Sequence, residues 1–172
     1  VSNKNWEYKT AFNLSEEVIQ KKNIELIFNG LDTYTTIFLN DSLIGQTNNA
    51  FKGFSFKVDA IIKSENKLKI IFTNTNYHES IKEEKNPYKL PEGKRIFTRK
   101  AQFQYGWDWG PKLNTAGIWK GIFINAWDDL KFEDIYIKQK EVNNEKATLS
   151  AEIVIESPSD KNVTLFTKIN RE

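Results

Sequence analysis

Thr35-Thr36-Ile37-Phe38-Leu39-Asn40-Asp41-Ser42-Leu43-Ile44-Gly45 reads as two strands joined by a tight turn. β-Branched and aromatic residues fill the first half. Asn40-Asp41 carries the short polar side chains that tolerate a left-handed backbone, and Leu43-Ile44-Gly45 returns. The two-residue period continues outward on both sides. Trp6, Tyr8, Thr10, Phe12 and Leu14 alternate with Glu7, Lys9 and Asn13, which predicts a strand with one wet face. Ile24, Leu26 and Phe28 predict a second strand, closed by Asn29-Gly30. Phe54, Phe56 and Val58 predict another, and Lys67–Thr73 a further one with Leu68, Ile70 and Phe72 on one face. Ser15-Glu16-Glu17-Val18 has the composition of a single helical turn. Short strands at this spacing, separated by turn residues, predict an all-β sandwich.

The segment from Asn74 to about Lys94 breaks the rhythm. It is rich in Lys, Glu and Asn, holds Pro87, Pro91 and Gly93, and is expected to be a long loop. Strand signals resume at Arg95–Tyr105 and Ile118–Trp127. A composition shift after Asp128-Asp129 divides the chain into a first domain, 1–128, and a partial second β-sandwich, 129–172. Ile135–Ile137, Leu149–Ile155 and Val163–Ile169 are its expected strands.

Composition narrows the function. Hydrophobic residues at 39% and aromatics at 13% suffice for a core. The net charge of +2 comes from scattered lysines, which argues against nucleic acid as a partner. No apolar run reaches membrane-spanning length. There is no Cys, so thiolate metal sites and disulfides are absent, and no cofactor is expected. His78, the one histidine, has no metal-ligand neighbours at suitable spacing and is expected to lie solvated in the polar loop. The acidic pairs Glu16-Glu17, Glu83-Glu84 and Asp128-Asp129 read as solvated surface. The three glycosylation sequons, at Asn13, Asn40 and Asn162, are no more than chance supplies in so Asn-rich a chain. The chain has no Met and starts in strand-like sequence, as expected of a piece of a longer product. Its 22 Lys against 3 Arg fit an AT-rich bacterial genome.

The chemistry concentrates in Phe103-Gln104-Tyr105-Gly106-Trp107-Asp108-Trp109-Gly110-Pro111. Sugar C–H faces lie on indole rings, and a carboxylate accepts from sugar hydroxyls. Trp107, Asp108 and Trp109 offer both within one turn. The alternative is a buried aromatic corner. Arg95 and Arg99 stand just upstream, and a planar guanidinium kept in a lysine-biased chain suggests bidentate pairing or stacking, or else a structural ion pair with Asp108 or another acid.

Gly30-Leu31-Asp32-Thr33-Tyr34, with Ile37-Phe38-Leu39-Asn40 and Ile44-Gly45, resembles the sugar-binding domain of glycoside hydrolase family 2. Arg99-Lys100-Ala101-Gln102-Phe103 running into Gly106-Trp107-Asp108-Trp109-Gly110-Pro111, then Thr115-Ala116-Gly117-Ile118-Trp119 and Ala126-Trp127-Asp128, resembles its β-mannosidase branch. The likeness spans roughly residues 5 to 137. It implies a jelly-roll, galactose-binding-like sandwich followed by an immunoglobulin-like domain. A (β/α)₈ barrel carrying two catalytic glutamates and a retaining mechanism would come after these. Implied partners are a terminal β-mannoside and that barrel, with neither nucleic acid nor membrane. By the resemblance, Asp108 accepts from mannose hydroxyls, Trp107 walls the pocket, Trp109 is a further substrate-binding residue, and Arg99 holds Asp108 or the loop. The fragment itself is expected to be inactive. The family carries sequence before Trp6, so an exposed edge strand and an edge-mediated dimer are expected. A periplasmic or secreted bacterial location is favoured, with a cytoplasmic one left open. The rival functions are a free-standing carbohydrate-binding module and a purely structural β domain.

Overall fold

The structure, a computed structural model, describes residues 3–89, 91 and 93–169; the chain ends at Val1 and Glu172 lie outside them. It divides into two compact units, Val1–Ala126 and Trp127–Glu172.

The first unit is an antiparallel sandwich. Strands β1 (Trp6–Asn13), β4 (Tyr34–Leu39), β5 (Ser42–Asn48) and β7 (Glu65–Thr73) form one sheet in the order β1-β7-β4-β5. Strands β2 (Asn23–Phe28), β6 (Phe54–Lys57) and β9 (Ile122–Trp127) form the other, in the order β6-β2-β9. A short ladder joins β3 (Leu31–Asp32) to β8 (Gly117–Ile118). In β4 and β7 the register pairs Ile37 with Ile70 and Leu39 with Leu68, so every second side chain of each strand points inward. These residues meet Ile24, Leu26 and Phe28 of β2, with Leu31, Val58 and Phe72, in one core. Phe28 and Phe72 have no exposed surface. Truncating either to Ala should cost roughly 3–5 kcal/mol. The β4–β5 hairpin turns at Asn40 and Asp41, whose φ values of 50° and 64° are the left-handed pair that a tight two-residue turn demands. The expected helical turn is α1 (Glu16–Ile19).

Several expectations are corrected. The stretch after Asn74 is not a structureless loop, because Thr75–Lys85 forms a helix, α2. Asn74 caps it by accepting from the Tyr77 N–H at 3.0 Å, and the helix ends just before Pro87. Its pattern hid because its buried residues are Thr75 and Glu79, polar side chains that leave no apolar stripe. His78 lies on α2, partly buried rather than solvated, stacked on Tyr34 with ring centroids 3.9 Å apart. Arg95–Tyr105 is not a strand. It overlaps two 3₁₀ turns, Gly93–Phe97 and Gln102–Tyr105, and its one β-bridge among the described residues joins Arg99 to Asn49. Ile118–Trp127 is interrupted at Trp119–Gly121 between β8 and β9. β1 has more than one wet face: Trp6 and Tyr8 are 43% and 41% exposed on an end strand of the sheet. Among the described residues no helix is long and apolar enough to cross a membrane.

The second unit contains one antiparallel ribbon, β10 (Lys131–Val142) against β11 (Ala147–Glu156), with irregular register at Phe132/Asp134 and Gln139/Glu141. The alternation at Val163–Ile169 does not produce a strand, since no partner is paired to it among the described residues.

Burial, and then the nearby Lys82 ammonium, pull the His78 imidazole below the ordinary histidine value. The unfolded chain therefore takes up this proton first. The stability tied to neutral His78 is complete above about pH 6.5 and is lost as the pH falls through the histidine range. An NMR titration of this single histidine should give an apparent pKa below about 6.5, and a value above it would contradict the stacked, neutral ring.

Candidate functional site

The site begins with a charge that cannot stay unpaired. The Lys100 side chain is completely buried, and its Nζ lies 3.3 Å from Oδ2 of Asp32, itself 7% exposed. Burial pulls the ammonium below the ordinary lysine range, and the Asp32 carboxylate acts in the opposite direction. Nζ also donates to Asn114 Oδ1 at 2.7 Å and to the Thr115 carbonyl. Asp32 accepts from the Thr33 hydroxyl and from Gln104 Nε2 at 3.1 Å. Gln104 Oε1 in turn accepts the Thr115 N–H at 3.1 Å and its hydroxyl at 2.9 Å. One buried ion pair thus ties together three chain segments, around residues 32, 100–104 and 114–115.

A second polar contact lies beside it. Tyr105 donates its phenol to Glu79 of α2, and Asn114 Nδ2 donates to Thr75 at 3.0 Å on the same helix. Burial, then the Glu79 carboxylate, raise the Tyr105 phenol far above the ordinary tyrosine value, so it stays a donor. The helix missing from the sequence reading is therefore the support on which this face rests.

Above these anchors the chain projects. Gly106 adopts φ 98°, a conformation L side chains rarely take, and turns the backbone away from the Gln102–Tyr105 turn. Trp107 bridges Gly110, whose N–H donates to the Trp107 carbonyl at 3.1 Å. This closure places Asp108 and Trp109 at the two corners of a tight turn. Trp107 is 65% exposed and Trp109 87% exposed, which overturns the reading of these tryptophans as core. Asp108 is exposed, and among the described residues nothing pairs with its carboxylate.

Arg99 is exposed too, and no hydrogen bond or ion pair joins its guanidinium to Asp108 among the described residues. Its main chain is the fixed part: the Ala50 N–H donates to the Arg99 carbonyl at 2.8 Å. The structure brings Arg99 beside Trp107 instead, both lining a surface hollow of about 530 Å³. Trp119 is fixed against the Ala50 main chain. Its indole donates to the Ala50 carbonyl at 2.9 Å and lies so close to Gly30 that an added Cβ would sit 2.6 Å from Nε1. The Gly30 position thus admits no side chain.

A family model described as glycosyl hydrolase 2 galactose-binding domain-like matches residues 1–120. The chain belongs to this family. A β-mannosidase of Mus musculus is 34% identical over 152 residues, covering 79% of this chain and 17% of that protein. The crystal structure of a β-D-mannosidase from Dictyoglomus thermophilum superposes with a TM-score of 0.84 at 33% identity, covering 91% of this chain and 20% of the other. A β-glucuronidase from Ruminococcus gnavus, at 19% identity and a TM-score of 0.61, shares the fold. The chain spans about a fifth of the length of the relatives it matches.

Within this glycosyl hydrolase 2 domain, the sequence points to the exposed tip of the loop and not to the buried network at its base. Lys100, Asp32, Gln104, Asn114 and Glu79 were not singled out. One signal was present: Asp32 sits between Leu31 and Thr33-Tyr34, and a carboxylate carried inward in such a run needs a cation.

Replacing Lys100 by Met should destabilise the chain by roughly 3–5 kcal/mol, because Asp32 is left buried without its cation. A double-mutant cycle with Asp32→Asn, followed by urea denaturation, should return a coupling energy above about 1 kcal/mol; additive losses would contradict the network.

Proposed function

We propose that this region forms one wall of the substrate pocket of a retaining β-mannosidase that removes terminal non-reducing β-mannose. Asp108 accepts hydrogen bonds from hydroxyls of the terminal mannose, and Trp107 and Trp109 pack against its C–H faces. Arg99 borders the same loop through the hollow it shares with Trp107. The observation that carries this reading is the exposure of two indoles and an unpaired carboxylate on a turn whose base is locked by a buried network. Two large indoles exposed within one tight turn form the kind of apolar patch that marks an interaction site.

The hydrolytic step belongs elsewhere in the parent. The described residues contain no (β/α)₈ barrel, and the glutamate pair implied by the resemblance would reside there. The second unit is read as the start of an immunoglobulin-like domain leading to that barrel. A periplasmic or secreted location suits an enzyme acting on foreign glycans.

The exposure also favours a second reading, a free-standing carbohydrate-binding module. Such a platform binds mannose by itself with saturable indole shifts at millimolar concentration, whereas half of a pocket stays silent.

In the full-length parent, Asp108→Ala should lower kcat/KM for an aryl β-mannoside by at least about tenfold; a change within about threefold would make the contact dispensable. The pure 172-residue chain should not turn over the same substrate, and measurable release of the aryl group would refute the assignment.

A further inference from the structure

The hollow that holds Trp107 has a chemistry of its own. It is lined by Phe51, Arg95, Ile96, Arg99, Gln102 and Trp107, with Thr98 and Lys100, and no acidic side chain is among them. Its volume of about 530 Å³ lies in the range of small-ligand sites. Phe51 is 62% exposed and Trp107 65% exposed, so two aromatic faces are available. The Lys100 charge is already matched to Asp32 in the interior. The guanidinium of Arg99 is exposed and has no carboxylate partner among the described residues.

The walls are also built to stay in place. Arg99 bridges Asn49, and its carbonyl accepts the Ala50 N–H at 2.8 Å. Asn49 Oδ1 accepts the Phe51 N–H at 2.9 Å, and the Ala50 carbonyl accepts the Trp119 indole at 2.9 Å. The Phe51 wall and the Arg99 wall are therefore one hydrogen-bonded assembly. In a chain with 22 Lys and 3 Arg, two of the arginines line this one hollow. A guanidinium differs from an ammonium in offering a planar fork that meets a carboxylate or sulfate edge-on.

We propose that this hollow is a binding site for an acidic saccharide: its carboxylate or sulfate ester pairs with Arg99, and its ring lies between Phe51 and Trp107. A neutral sugar would use the aromatic walls and leave the guanidinium unmatched. A bare anion would use the guanidinium and leave the walls in water. The site rests on the proposed function only through the shared Trp107 wall, and it does not use Asp108.

The 172-residue chain is titrated at low ionic strength with methyl β-D-mannopyranosiduronate, with methyl β-D-mannopyranoside and with sodium sulfate, following the Arg99 Nε–H and Trp107 indole resonances. The uronate should bind saturably and shift both. Arg99→Gln and Trp107→Ala should each weaken it, the first by at least about tenfold. Asp108→Ala, which removes a like charge, should not weaken it, so failure of this site and failure of the pocket-wall reading are read separately. An unmoved Trp119 indole in each variant reports that the fold is intact. Equal binding of the neutral mannoside, equally tight binding of sulfate, an Arg99→Gln effect within about threefold, or no saturable uronate shift would each overturn the proposal.

Discussion

The ammonium of Lys100 has no contact with solvent, and its placement 3.3 Å from the Asp32 carboxylate constrains everything around it. A buried ion pair of this kind adds little net stability, because desolvation of both charges offsets their attraction. What it fixes is orientation. Neither charge can be moved or left alone without a large cost, so the segments carrying them must meet in one register. Gln104, Asn114 and Thr115 complete the remaining hydrogen bonds of the pair, and each comes from a segment that enters or leaves the exposed turn. Sandwich, helix and loop are joined at this point.

Order below and exposure above belong to the same design. The tip from Gly106 to Gly110 has no core of its own, and its tryptophans lie in water. A turn so placed would spread over many conformations if its ends were free. Tyr105 held by Glu79 and Gln104 held by Asp32 restrict one end, while Asn114 held by Lys100 and Thr75 restricts the other. A ligand meeting a turn already restricted at both ends has less ordering to oppose its binding. The polar residues of α2 gain their explanation here: Thr75 and Glu79 are buried because they face the anchors, not a hydrophobic core.

The sandwich was legible because its physics is local. Alternation at Ile24–Phe28, Thr35–Leu39 and Lys67–Thr73 records which face of each strand is dry, and Asn40-Asp41 records the turn. Where the buried partners are polar, the record fades. α2 carries no apolar stripe, so its capping Asn74 stood without a pattern to confirm it. Ile96, Phe97, Phe103 and Tyr105 imitate a strand, yet Ile96 and Phe103 are exposed and the backbone forms 3₁₀ turns. The Trp-Asp-Trp tip could be read from residue types alone. Lys100 could not, since one lysine among 22 gives no sign of being buried. Arg99 drew attention instead, and the structure assigns the anchoring to its neighbour. An outward Arg99 and an inward Lys100 are neighbours in a tight bend, where the Lys100 N–H donates to the Thr98 carbonyl at 3.1 Å.

The central claim is that the exposed turn is held in shape from below by the contacts of this chain itself. Backbone ¹⁵N relaxation of the 172-residue chain at Gly106, Trp107, Asp108, Trp109 and Gly110 tests this directly. Order parameters near about 0.85, matching those of β4 and β7, are the predicted result. Values below about 0.6 at these five amides, with the strands rigid, would contradict it and show that the anchors do not reach the tip.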